Sequence, residues 1–164
     1  MNCALSARSI EEGPPIHAQR INGKTVPYPH PRVPATPEQV WKAWTDPQGL
    51  KRWFGPDEGE VTVAQTDVRV GGRFHIVFHT LDGEEHDVSG TYREVQRPRK
   101  LVFTWAWKST PERESLVTLT FHASGSNTEF NMLHEQFFDA AARDRHEFGW
   151  TGALSKLDRF LQVK

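Results

Sequence analysis

Cysteine is nearly missing from this 164-residue chain: Cys3 stands alone, which excludes an internal disulfide and a cysteine-built metal cage. No apolar run approaches the roughly 18 residues of a membrane-spanning helix. Met1 to Pro15 also lacks the basic-then-apolar order of a secretory leader, so the reducing cytoplasm is the expected location. A charge excess is missing as well. Twenty Lys and Arg oppose 21 Asp and Glu for a net charge of −1, which gives no electrostatic footprint for nucleic acid or an anionic membrane. The one dense basic run, Arg97-Pro98-Arg99-Lys100, lies between two strand patterns and reads as a solvated turn. There is no G-x-S-x-G nucleophile elbow, and Cys3 in the tail makes no usable Cys–His pair. No catalytic residue is assigned, and no cofactor is expected.

What is present is a globular composition, 37% hydrophobic and 25% charged, in a length suited to one domain with a substantial core. Residues 1–24 read as an irregular N-terminal extension and 25–164 as a single domain. Asn22-Gly23 is a hairpin dipeptide, but its flanks alternate poorly. From Thr25 to Val33 the chain reads as extended. Pro27, Pro29 and Pro31 strip the N–H donors from one side of that stretch, so it belongs at a sheet edge.

Thr36 is placed as an N-cap, with Pro37 at the first helical position and Gln39 completing a capping box. The helix runs to about Trp44. Asp46-Pro47 starts a second short helix that ends near Trp53, before Gly55-Pro56. Residues 60–135 alternate with period two and predict six consecutive antiparallel strands. Their buried face carries Phe74, Ile76, Phe78, Leu101, Phe103, Trp105, Trp107, Val117, Leu119, Phe121, Phe130 and Met132. Parity selects an odd loop at Asp82-Gly83, with Gly83 in the left-handed region, because that register puts Val88, Gly90 and Tyr92 on the same face.

A final helix is expected from about Asp139 to Gln162. Trp150, Ala153, Leu154, Leu157 and Leu161 fall on one side, with Arg143, Asp144, Lys156 and Arg159 largely elsewhere. At 1.5 Å per residue it spans roughly 35 Å, enough to cross the sheet. Gly149 within it serves either close packing, the preferred reading, or space beside Trp150.

Taken in order, Val40-Trp41-Lys42-Ala43-Trp44-Thr45-Asp46-Pro47, Trp53-Phe54-Gly55-Pro56, Asp67 to Phe74, and Gly149-Trp150-Thr151 with Leu154 and Leu157 make the chain resemble a known family. It is similar over about residues 30 to 162 to the activator of Hsp 90 ATPase homologue-like (AHSA-type) domains of the START-like (SRPBCC, Bet v 1-like) superfamily. The resemblance implies an α+β helix-grip fold. In that fold a seven-stranded curved antiparallel sheet has two short helices after its first strand, and a long C-terminal helix packs on its concave face. It also implies a hydrophobic cavity between sheet and helix that takes small hydrophobic or aromatic molecules. A few relatives catalyse cyclisation or hydrolysis. The chaperone-stimulating relatives carry a further N-terminal domain.

The expected function is binding of a small hydrophobic molecule, with a cyclase- or hydrolase-type enzyme and a chaperone ATPase-activator module as the alternatives. The candidate ligand-binding residues are Phe74, Phe78, Tyr92, Phe103, Trp105, Trp107, Met132, His134, Trp150 and Leu154. Six tryptophans are hard to pack to full density in one small domain, and tryptophan and methionine line adaptable apolar sites. Tyr92 and His134 are the inward polar groups. His134 reads first as a hydrogen-bonded core residue, then as a ligand contact, and last as a base. With two strands between them, the pair lies roughly 14 Å apart at ~4.8 Å per strand. His75 and His79 share a strand face about 13 Å apart, too far for one metal ion. Asp67, Arg69 and Arg73 around Gly71-Gly72 lead into a strand and not a helix, which favours a tight hairpin with a local ion pair over an anion cradle. A monomer or a homodimer is expected.

Overall fold

The computed structural model describes residues 23–162. The elements are β1 (Lys24–Val26), α1 (Pro37–Thr45), α2 (Pro47–Trp53), β2 (Val61–Thr66), β3 (Arg73–His79), β4 (Glu85–Gln96), β5 (Lys100–Trp107), β6 (Ser115–Ser124), β7 (Asn127–Glu135) and α3 (Ala140–Gln162). The strands form one seven-stranded antiparallel sheet in the order β1-β7-β6-β5-β4-β3-β2. This is the expected helix-grip architecture.

Each boundary has a local cause. Thr36 caps α1 by accepting from the Gln39 N–H, Gln39 Oε1 accepts in return from the Thr36 N–H, and Pro37 occupies the first turn. Asp46 caps α2 in the same way through the Gln48 N–H. In the β3–β4 hairpin, Phe74 lies opposite Gly90, Ile76 opposite Val88 and Phe78 opposite His86, and Gly83 takes φ +89°. That is the odd-loop register, and it buries Val88 and Tyr92. Asp67 and Arg69 make the local ion pair at the β2–β3 turn, at 2.9 Å.

The N-terminal edge differs from expectation in extent. β1 pairs with β7 at the sheet edge, as the prolines require, but covers only Lys24 to Val26. Pro27, Pro29 and Pro31 lack the donors a longer ladder needs, so the chain leaves the ladder, and its backbone bridges the sheet again where Val33 meets Thr128. The Asn22-Gly23 hairpin reading and most of the 1–24 extension fall outside the described residues, and Lys24 already belongs to β1.

The helix α3 lies across the concave face. Trp150, Ala153, Leu154, Leu157 and Leu161 are buried as the spacing predicted. Two polar residues of α3 are buried too, against the expectation for Lys156. The Lys156 ammonium donates to the carbonyls of Phe54 (3.1 Å) and Asp57, so its long stem crosses the interface to satisfy the α2–β2 loop. Burial pushes its pKa down, while Glu58 and Asp57 oppose that shift. Asp158 accepts from Tyr28 Oη at 2.8 Å and from Gln162 Nε2 at 2.8 Å, with His30 Nε2 at 3.1 Å. This ties the segment after β1 to α3. The close approach of α3 to the loop is made by Gly152: a Cβ there would stand 2.3 Å from the Pro56 carbonyl oxygen, whereas one on Gly149 meets only Pro56 Cβ at 4.0 Å. The packing role foreseen for Gly149 belongs to Gly152.

Candidate functional site

The concave face is not evenly filled. Its middle is plugged from above by the short helices: Trp44 packs on Trp53 (ring centroids 4.7 Å), on Phe130 (5.8 Å) and on Trp150 (5.8 Å). Trp41 meets Phe121 at 5.7 Å. Space remains at one end of the sheet, under the N-terminal half of α3, as a cleft of about 920 Å³. Phe54 and Pro56, Phe78, Trp105 and Trp107, Phe137, and Trp150 with Ala153 form its apolar walls. The cleft is open at its mouth, where Phe138 and Phe148 are 59% and 80% exposed.

Three tryptophans organise the inner wall. Trp105 touches Trp107 (5.5 Å) and Trp150 (4.9 Å). Trp150 Nε1 donates to His134 Nδ1 at 3.0 Å, and Trp107 Nε1 donates to His146 Nε2 at 3.0 Å. Because Nδ1 of His134 accepts, its Nε2 carries the proton and donates to Ser115 Oγ at 2.8 Å. His146 has the opposite tautomer, with Nδ1–H donating to the Ala142 carbonyl at 2.7 Å. Both rings are neutral. Burial holds the His134 pKa well below the ordinary histidine value, with nearby His146 adding to the effect. Burial lowers His146 too, against the Ala142 carbonyl, which raises it, and with Arg145. The indole N–H of Trp105 and that of Trp44 are buried without a hydrogen-bond partner.

A second set of groups stands at the mouth. His86 stacks on Phe78 (centroids 5.0 Å, 19° between planes) and lines the cleft. Thr80 Oγ lies 2.6 Å from Asp82 Oδ1 and 3.2 Å from His86 Nε2. The hydroxyl's single proton goes to the nearer carboxylate, so His86 Nε2–H donates to Thr80 and its Nδ1 keeps a lone pair. The Thr80 hydrogen bond is also the main reason the Asp82 carboxyl titrates lower than usual. Lys108, Arg113 and Arg145 line the same mouth.

Of the residues nominated from sequence, Phe78, Trp105, Trp107 and Trp150 come together in this cleft. Phe74, Tyr92 and Phe103, with Trp105 again, surround a separate space of about 20 Å³, which holds no more than about one water. Tyr92 is buried there, and desolvation raises its phenol pKa, with Asp67 adding. Met132, Leu154 and His134 are fully buried in the core and outside both spaces. Sequence reasoning missed His86 and His146, though both had a signal. His86 shares the parity of Val88 and Tyr92, and His146 lies one helical turn before Trp150. Among the described residues there is no cluster of three or more His, Cys, Asp or Glu placed to hold a metal ion, and no helix long and apolar enough to cross a membrane.

The sequence profile of the family described as Activator of Hsp90 ATPase homolog 1-like protein matches residues 34–162. No curated protein matches the chain. Among solved structures, a protein from Chromobacterium violaceum superposes with a TM-score of 0.77 at 23% identity, covering 88% of this chain and 99% of that one. The AHSA1 protein from Silicibacter pomeroyi gives 0.70 at 26% identity, covering 86% and 96%. CalU16 from Micromonospora echinospora gives 0.59 at 29% identity, covering 80% and 73%.

Proposed function

This chain belongs to the Activator of Hsp90 ATPase homolog 1-like protein family, and we propose that it binds a small apolar or aromatic molecule in the cleft beneath the N-terminal half of α3. The supporting observation is the cleft itself: about 920 Å³, within the ~300–1,000 Å³ range of small-molecule sites, with Phe54, Phe78, Trp105, Trp107, Phe137 and Trp150 in its lining. Offset and edge-on packing against Trp105, Trp107 and Phe78 suits a flat, conjugated ligand. The Trp150–His134 and Trp107–His146 hydrogen bonds fix the inner wall before any ligand arrives, which lowers the ordering cost of binding.

The test is nitrogen-15 NMR of the indole N–H groups while a neutral bicyclic arene is added. The Trp105, Trp107 and Trp150 resonances are expected to move with one saturable dependence, while Trp41 and Trp53 stay still. Uniform small shifts, or none, would count against the reading.

The Asp82–Thr80–His86 chain favours a second reading, an enzyme acting in the same cleft. The base would then be His86, whose Nδ1 is free of that chain, and not His134, both of whose ring nitrogens are engaged. Turnover of any substrate that persisted at full rate in His86→Gln would exclude this mechanism.

A further inference from the structure

Resting on that cleft reading, we infer that the ligand is an aromatic acid: a flat apolar body held between the tryptophans and a carboxylate or comparable anionic group left at the mouth. Little polar recognition is available inside beyond the Trp105 indole N–H, which is buried without a partner. The Trp107 and Trp150 donors are committed to His146 and His134, and Ser115 Oγ is taken by His134 and the Trp105 carbonyl. An anion in that interior would also meet neutral histidines, which add no positive charge. Polar selection therefore moves outward, where the cations are.

Three cations border the mouth: Lys108 and Arg113 on the β5–β6 connection and Arg145 on α3. Neither Lys108 nor Arg145 has an ion-pair partner among the described residues. Arg113 lies with its guanidinium carbon 3.8 Å from the centroid of the Phe138 ring. The cation–π contact holds the group at the rim while its N–H fork stays available to a carboxylate. Among the described residues its only ion pair is a long one, 4.0 Å to the exposed Glu112.

Acidic residues line the mouth too, all on the β3–β4 hairpin, which adjoins the β5–β6 connection where the Lys108 N–H donates to the Asp87 carbonyl at 2.9 Å. Asp87 lies 2.9 Å from His75. Glu84 is largely solvated, 3.9 Å from His86. Glu85 lines the mouth as well and lies across from His79 in the strand ladder. The three cations therefore sit on α3 and the β5–β6 connection with no ion-pair partner for Lys108 or Arg145 among the described residues, while of the acids on the β3–β4 hairpin Asp87 is held by His75 and Glu84 is largely solvated. An anion is attracted to these unpaired cations, and a cationic ligand would compete with His75 for Asp87.

Two fluorescent probes with one skeleton separate the anion from the aromatic body: 8-anilinonaphthalene-1-sulfonate and its neutral counterpart N-phenyl-1-naphthylamine. On the full chain at low salt the sulfonate is expected to bind at least about 5-fold tighter than the neutral probe, an advantage that shrinks with added salt as surface charges are screened. The triple variant Lys108→Gln, Arg113→Gln, Arg145→Gln should weaken the sulfonate about 10-fold or more and leave the neutral probe within about 2-fold, consistent with charge-assisted hydrogen bonds worth more than about 1.4 kcal/mol in total. Single Lys108→Gln and Arg145→Gln variants, which leave the Arg113–Phe138 contact in place, should each show part of the loss. If both probes bind alike, or the triple variant leaves the sulfonate unaffected, the inference is overturned while the cleft stands. If neither probe binds, the cleft reading itself fails.

Discussion

Trp150 Nε1 and His134 Nδ1 meet at 3.0 Å in the interior, joining the middle of α3 to the end of β7. The contact fixes the tautomer of the histidine, directs its other nitrogen to Ser115, and holds the indole as the back wall of the cleft. The first of the readings His134 has from sequence, a hydrogen-bonded core residue, is thus the one its contacts match.

Replacing His134 by leucine should destabilise the fold by about 1–3 kcal/mol, the cost of leaving the Trp150 N–H buried without an acceptor. A double-mutant cycle with Trp150→Phe, read by urea unfolding, should return a favourable coupling. Purely additive losses would show that the hydrogen bond contributes nothing.

Stability should also fall as the medium turns acidic. Burial depresses the folded pKa of His134, and of His146, below the value of 6.5 for an exposed histidine. Below that pH the unfolded chain takes up protons that the folded rings refuse, so stability present above pH 6.5 is lost as pH falls toward the folded values. Urea midpoints at pH 7.5 and 5.5 should show the decline, and His134→Leu should flatten part of it. An equal slope in the variant would assign the effect elsewhere.

The two glycines of α3 should respond in opposite directions to alanine. At Gly152 the new Cβ would meet the Pro56 carbonyl oxygen at 2.3 Å, so either α3 or the loop must move; a loss of about 1–3 kcal/mol is expected, in the range of overpacked sites. At Gly149 the Cβ has room, and the gain in helix propensity reaches up to about 1 kcal/mol. Thermal unfolding of the two variants side by side measures both, and equal losses would contradict the assignment of close packing to Gly152.

Lys156→Met keeps most of the stem but strands the carbonyls of Phe54 and Asp57 that the ammonium now satisfies. The expected cost is about 1–3 kcal/mol. Because Phe54 and Pro56 line the cleft, the affinity for a neutral arene should drop in the same variant. Unchanged stability would mean that water replaces the amine without penalty.

Much of the framework was legible in the sequence because its signals are local. Thr36, Pro37 and Gln39 announce α1 within four residues, and alternation from Phe74 to Met132 fixes which face is buried. The parity argument at Gly83 placed Val88 and Tyr92 correctly. The site was less legible, because its position depends on how much of the concave face the short helices fill. The sequence places Trp41, Trp44 and Trp53 on helices but cannot say how far they reach. Their rings occupy the ground above Phe121 and Phe130 and leave the space around Trp107. Lys156 was misplaced for a related reason: helical periodicity assigns a charged residue to water, and only the tertiary structure supplies two carbonyls within reach of its stem.

The most direct test of ligand binding in the cleft is titration of N-phenyl-1-naphthylamine into the full chain and into Gly149→Leu, a variant that puts a branched side chain into the space beside Trp150. The wild-type protein should give one saturable site with micromolar affinity. The variant should keep its unfolding temperature near that of the wild type and bind at least about 10-fold more weakly, a loss of about 1.4 kcal/mol or more. Saturable binding that the leucine leaves intact, or no saturable binding to the wild-type protein, would contradict the account.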